Sequence, residues 1–252
     1  MIKLKTERDI EMIAASGRIL AEVLEKVSQE ARVGVSLFFL DNLARRLLQE
    51  AGAKPAFLGY RPNSGYRPFP AALCLSLGDQ IVHGLPSSYQ LHSGDLLKMD
   101  LGVDYQGYIS DAAITLGIGK IPPAAQKLIE AVKKALEAAI NEAWPGKHLG
   151  DLGFAIETII KKNGFSVIKG LTGHGVGFEL HEDPTILNYG RKGEGLVLKP
   201  GMVLAIEPMA CLGEGKIVQR ADDSFATADG SLAVHFEHTV AIMENGPQIM
   251  TV

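Results

Sequence analysis

Apolar residues along this chain recur at two spacings, and each spacing predicts an element type. From residue 7 to about 31 they fall three and four apart (Ile10, Ile13, Leu20, Leu24, Val27), the mark of an amphipathic helix. Residues 34–52, GVSLFFLDNLARRLLQEAG, repeat that spacing through Leu37, Leu40, Ala44, Leu47 and Leu48. Strand-like runs follow at 72–77, 80–83, 95–103 and 108–117. The helical spacing then returns over 123–144 (Leu128, Val132, Leu136, Ile140), opened by Pro122-Pro123, and over 146–164, GKHLGDLGFAIETIIKKNG. Further strand-like runs lie at 165–170, 202–207 and 233–243.

The second helical pair copies the first. Both 34–52 and 146–164 run from glycine to glycine over the same length, and the closing glycine suits a helix C-terminus. Leu149, Leu152, Ile156, Ile159 and Ile160 match the apolar steps of the earlier copy. The repeat reaches the acids as well. Asp100 stands six residues after Gly94 in SGDLLKMD, and Glu207 six after Gly201 in PGMVLAIE. These matches predict an α+β chain, a single catalytic domain over 1–252. Its two halves, roughly 1–120 and 121–252, each hold two helices and then a mostly antiparallel sheet. Halves stacked face to face would bring their acids to one central site.

The segment MDLGVDYQGYISD, 99–111, carries the first chemical signal. A turn centred between Tyr105 and Gln106 sets Asp100 directly opposite Asp111, with side chains roughly 5 Å apart. Like charges so placed repel unless a cation lies between them or they share a proton. Other ligand types follow. LTGHGVGFELHEDP holds His174 and His181 in a glycine-rich, non-helical stretch. LAIEP ends an apolar strand on Glu207 before Pro208. LAVHFEHTVAIM places His235, Glu237 and Thr239 on one strand face, where an acid is costly unless paired. QIVHGLP carries His83 at a strand end.

Taken singly, each residue has a plain reading as an exposed hairpin acid, a loop histidine, a strand cap or a carboxylate paired with Lys or Arg. Five ligand-type residues in both halves of a repeat favour a shared site. Asp100, Asp111, His174, Glu207 and Glu237 sum to a formal charge of −4, which two divalent cations neutralise. Oxygen donors with one nitrogen suit Mn, Fe, Co or Zn, commonly spaced roughly 3.5–4 Å in two-metal sites.

Composition narrows the partners. With 46% hydrophobic and 21% charged residues and a net charge of −4, the chain has an ordinary globular composition and no basic surplus for nucleic acid or anionic membrane. Cys74 and Cys211 are too few for a disulfide framework, so a reduced, cytoplasmic protein is expected. MIKLKTERDIEMIAASG lacks signal-peptide character, and no apolar run reaches the ~20 residues of a membrane span.

At VHGLP, MDLGVDYQGYISD, GHGVGFELHEDP, PGMVLAIEPM and GSLAVHFEHTV the sequence resembles the bacterial-type methionine aminopeptidases of the pita-bread metallopeptidase superfamily, over nearly the whole chain. The resemblance implies a pita-bread fold, two pseudo-symmetric halves around a dinuclear site, and removal of the initiator methionine from nascent proteins and peptides. It implies that Asp100 chelates one metal, Asp111 and Glu237 bridge both, and His174 and Glu207 hold the other. Catalysis would use His83, His181 and Glu207. Tyr60, Cys74, Phe178 and Phe69, with Tyr66 as the alternative aromatic, would line the substrate pocket beside the two histidines. The partner implied is a peptide or nascent-protein N-terminus, with the ribosome as a further candidate and a monomer as the expected state.

Two departures concern the pocket. The loop 59–70 is longer than usual, and Asp223 stands where the family usually has tryptophan, the lone Trp144 being placed in a helix. DLGVDYQGYISD also resembles proline-specific relatives, so a proline-specific aminopeptidase or dipeptidase is the alternative, and a non-catalytic binding protein of the same fold a third reading.

Overall fold

The structure, a computed structural model, describes residues 2–61 and 67–252. Two helices open the chain, α1 (Glu7–Glu30) and α2 (Leu37–Glu50). Each starts where a hydroxyl can accept an orphan amide. Thr6 accepts from Asp9 N while the Asp9 carboxylate accepts from Thr6 N, and Ser36 accepts from Phe39 N. Strands β1 (Lys54–Pro55), β2 (Leu73–Leu77), β3 (Gln80–Val82), β4 (Leu96–Tyr105) and β5 (Tyr108–Gly117) follow. The second pair, α3 (Pro123–Glu142) and α4 (Leu149–Lys162), precedes β6 (Ser166–Val167), β7 (Thr172–Gly175), β8 (Glu182–Leu187), β9 (Val203–Ile206) and β10 (Met209–Cys211). The chain closes with β11 (Ile217–Gln219), β12 (Phe225–Thr227), β13 (Ala233–His235), β14 (His238–Met243) and β15 (Gly246–Ile249).

One sheet has the order β1-β4-β2 with β5 beside β4, and another the order β15-β14-β9-β7-β8. Their pairings are antiparallel. Helix pair and sheet recur in the two parts of the chain, and the recurrence extends to detail. The residue before α2, Ser36, bridges to Gln90, and the residue before α4, His148, bridges to Val197.

Strand alternation separates core from cleft. Leu97, Met99 and Leu101 of β4 pack with Leu20, Leu40 and Leu48 of the first helix pair. Leu204 and Ile206 of β9, with Val240 and Ile242 of β14, pack with Leu128, Leu136 and Ile156 of the second. Lys98 and Asp100 therefore point to the opposite side of β4 from the helices. The β5 edge of the first sheet meets the β13–β14 segment along a seam. Thr115 Oγ1 donates to His235 O, Glu237 N donates to Ala113 O, and Asp111 N donates to Thr239 Oγ1, which donates back to Asp111 O.

Several expectations are corrected. The turn after β4 is the residue pair Gln106-Gly107, at φ 57° and 86°, with Tyr105 paired to Tyr108. Asp100 thus faces Ala113 and Asp111 faces Gly102, so the two acids are diagonal neighbours on one face, not directly opposed. The run 233–243 is two strands: β13 pairs with β10, β14 with β9, and Phe236-Glu237 forms the break. Only Ser166–Val167 of 165–170 pairs as a strand, whereas Thr172–Gly175 of the glycine-rich stretch does. Trp144 lies just beyond α3, over Gly246, because the helix ends at Glu142. Tyr66 falls outside the described residues.

Candidate metal centre and substrate cleft

The five expected ligands converge on one cavity of about 620 Å³. Asp100 and Asp111 reach it from the middle of β4 and β5. His174 projects from β7, Glu207 from the residue after β9, and Glu237 from the break between β13 and β14. Asp111, His174 and Glu237 each offer an atom within 4.8 Å of the others. His174 Nε2 lies 3.5 Å from Glu207 Oε1 and 3.9 Å from Asp111 Oδ2. Its Nδ1 sits 2.9 Å from the Gly175 carbonyl, which can only accept, so the proton belongs on Nδ1 and Nε2 is bare toward the acids.

The electrostatics explain what the cluster needs. Burial pushes Asp100 up to about 7, with Glu207 adding to it and His235 opposing. Burial and the charge of Asp100 raise Asp111 well above the carboxylate range. Burial, then Asp111, do the same to Glu237, and burial pushes Glu207 up to about 7. Asp100 Oδ1, Asp111 Oδ1 and Glu237 Oε1 are buried without a hydrogen-bond partner. Four acids, one bare imidazole nitrogen and orphaned oxygens fit divalent cations, which would both neutralise and saturate them.

His235 was not among the expected site residues, and the structure places it behind the acids, against Glu207 and Glu237. Its ring is 1% exposed, with Nε2 3.4 Å from Glu207 Oε2 and 3.9 Å from Glu237 Oε2. The available signal was its shared strand face with Glu237. Asn188 Nδ2 donates to the Glu207 carbonyl and holds that backbone in place.

An apolar pocket adjoins the acids. Phe57, Cys74 and Leu180 form its buried wall, with Tyr60 and Phe69 packed on them. Phe57 and Leu180 were not anticipated. Phe57 meets Phe69 edge to face at 6.2 Å, and burial pushes the Cys74 thiol up, so it behaves as a small neutral group. His83 follows β3 at φ 60° with its ring 5.8 Å from Phe225, and His181 stands 4.3 Å from the His174 ring. Both residues line the cavity. Crowding by protein and neighbouring histidines lowers both, which keeps them neutral at pH 7. Phe178 is not among the cavity-lining residues. It packs 6.1 Å from Tyr108 and beneath Lys5. Asp222, Asp223 and Phe225 also line the cavity.

Comparison with known proteins gives the family. The description "Metallopeptidase family M24" matches residues 11–244. The chain is 46% identical to a methionine aminopeptidase of Aquifex aeolicus over 99% of its own length and 98% of that protein. It is 40% identical to methionine aminopeptidase 1 of Bacillus subtilis over 100% and 99%. The crystal structure of methionine aminopeptidase from Thermotoga maritima superposes with a TM-score of 0.95 at 39% identity, covering 100% of this chain and 99% of that one. The prolidase of Pyrococcus horikoshii OT3 gives 0.79 at 26% identity, with 63% of that chain covered. No helix among the described residues is long and apolar enough to cross a membrane. By sequence over its whole length and by its pita-bread fold, the chain belongs to metallopeptidase family M24.

Proposed function

We propose that this protein is a methionine aminopeptidase that removes the N-terminal methionine from peptides and nascent proteins. The observation that carries this is the apolar Phe57–Cys74–Leu180 pocket directly beside five converging ligand groups. An unbranched thioether fits a closed apolar pocket, and the acids lie where the first peptide bond would follow. Full-length relatives named for the same activity support it. The prolidase alternative has no comparable support, since this chain spans under two thirds of that protein.

In this reading Asp100, Asp111, His174, Glu207 and Glu237 hold two divalent cations of the Mn, Fe, Co or Zn type. As the family resemblance implies, Asp100 would hold one, Asp111 and Glu237 would serve both, and His174 with Glu207 would hold the other. The bound ions supply a water of lowered pKa and Lewis-acid polarisation of the substrate carbonyl. Glu207 accepts a proton and returns it to the leaving amine. Tyr60 OH lies 2.6 Å from His181 Nδ1, and burial raises the phenol so that it keeps its proton. With Tyr60 donating to Nδ1, the ring proton would stand on Nε2, where a developing oxyanion needs a donor. His83 contacts the scissile nitrogen. Tyr60, Cys74 and Phe69 receive the methionine side chain, while Phe178 acts from behind the loop that carries His181.

Metal analysis of the purified protein, with cleavage of Met-Ala-Ser and of an Ala-Pro peptide with and without added Mn or Co, tests this. Metal-dependent release of methionine alone is expected. Cleavage of only the Ala-Pro peptide, or turnover indifferent to chelators, overturns it.

A further inference from the structure

The segment before α1 is tied to the loop between β7 and β8. Lys5 is almost fully buried, far from its usual surface position, and its Nζ forms a direct ion pair with Glu182, whose side chain is also buried. Glu182 is the residue after His181. Its other oxygen accepts from Phe178 N at 2.7 Å and Glu179 N at 3.1 Å, closing 178–182 into a tight loop. The Lys5 ammonium also lies 5.2 Å over the Phe178 ring. Gly177, at φ 143°, leaves room for the lysine stem, since a Cβ there would sit 2.7 Å from Lys5 Cε. Lys5 itself is anchored through its amide to Gly201 O at 2.7 Å.

We infer that Lys5 is a positioning residue for His181: the Lys5–Glu182 pair fixes the loop that aims the imidazole into the cleft. This rests on the role given to His181 above. The pair also keeps the Glu182 charge occupied inside its own loop. Glu182 lines the same cavity as Asp100, Asp111, Glu207 and Glu237, so its charge would otherwise add to theirs. Without the ammonium, a buried unpaired carboxylate turns outward to water and takes His181 with it.

Lys5→Met, Glu182→Gln and His181→Ala, singly and in pairs, are compared as manganese-loaded enzymes on Met-Ala-Ser. A displacement of about 1 Å costs on the order of a hundredfold in turnover. Lys5→Met should therefore lower kcat by about tenfold to a hundredfold, with KM changed less than about twofold and metal content unchanged. In the His181→Ala background the same change should cost nothing further. In the metal-free protein, the NMR signal of the His181 ring should be sharp and single in the wild type, and shifted or broadened in Lys5→Met. Should Lys5→Met not fold, Glu182→Gln, which keeps both amide contacts, must show the same kcat loss and the same silence on His181→Ala. Unchanged kcat, or an equal loss with and without His181, overturns the inference. Inactivity of the wild type would instead overturn the proposed function.

Discussion

The two halves reach the same cleft by different means. The first delivers Asp100 and Asp111 from one unbroken hairpin of two ten-residue strands, held in register by ladder bonds from Leu96–Gly117 to Tyr105–Tyr108. The second delivers three ligands from three segments. His174 sits at an irregular register in β7, Glu207 where Pro208 interrupts the ladder, and Glu237 at the kink between β13 and β14. A local hairpin needs little beyond its own turn to place two side chains. Three ligands at three breaks depend on contacts far away in sequence, because a break has spare backbone groups that something else must satisfy.

The contrast can be tested from its strongest consequence downward. Asp100→Ala and Glu207→Gln each remove a group from one half, and both should lower kcat/KM on the order of 10³-fold or more, Asp100→Ala with loss of bound metal by elemental analysis. Activity near the native level in either variant would show that one half suffices.

The metal-free protein should answer to pH. Folding raises Asp100 and Glu207 to about 7 from ordinary values near 4, chiefly by burial. Between those limits the folded state binds more protons than the unfolded one. The acids' contribution to stability is full below about pH 4 and is lost as pH rises toward 7 and beyond. Folding lowers His83, His181 and His235, which act in the opposite direction below about pH 6.5, so the acids are read above that value: thermal melting should fall between pH 6.5 and pH 8, and added manganese should flatten that slope. A metal-free protein more stable at pH 8 than at pH 6.5 would contradict the burial of these acids.

Smaller effects separate seam from hairpin. Thr239→Val deletes the hydroxyl that serves both backbone groups of Asp111 and should cost about 1–3 kcal/mol in denaturant unfolding. Metal affinity should weaken roughly tenfold, as for groups that orient ligands. Gln106→Asn, in a turn residue at φ 57°, should be stabilising by about 0.5 kcal/mol in the same measurement, without effect on turnover.

The helices were the most legible elements. The expected 7–31 and 123–144 stand as Glu7–Glu30 and Pro123–Glu142, because a single buried stripe and the caps beside it decide a helix locally. The strand pattern was legible where both strand faces differ and blurred elsewhere. Short strands such as β11 and β12 carry little alternation, and 233–243 reads as one run because the change of partner at Phe236 leaves no mark on hydropathy. The hairpin register was misjudged by the choice of turn. Gln106-Gly107 takes the two left-handed positions that match strand twist, and that shift makes the acids diagonal.

From the chain alone came the paired helix–helix–sheet order, the identity of the ligand-type residues and their need for compensating charge. These follow from spacing and from the chemistry of each side chain. Tertiary structure alone decided that His235 sits among the acids, that Phe57 and Leu180 close the pocket while Phe178 stands behind it, and that Lys5 grips the loop of His181. Each is a meeting of residues distant in sequence, and burial, not pattern, selects which distant groups come within reach of one another.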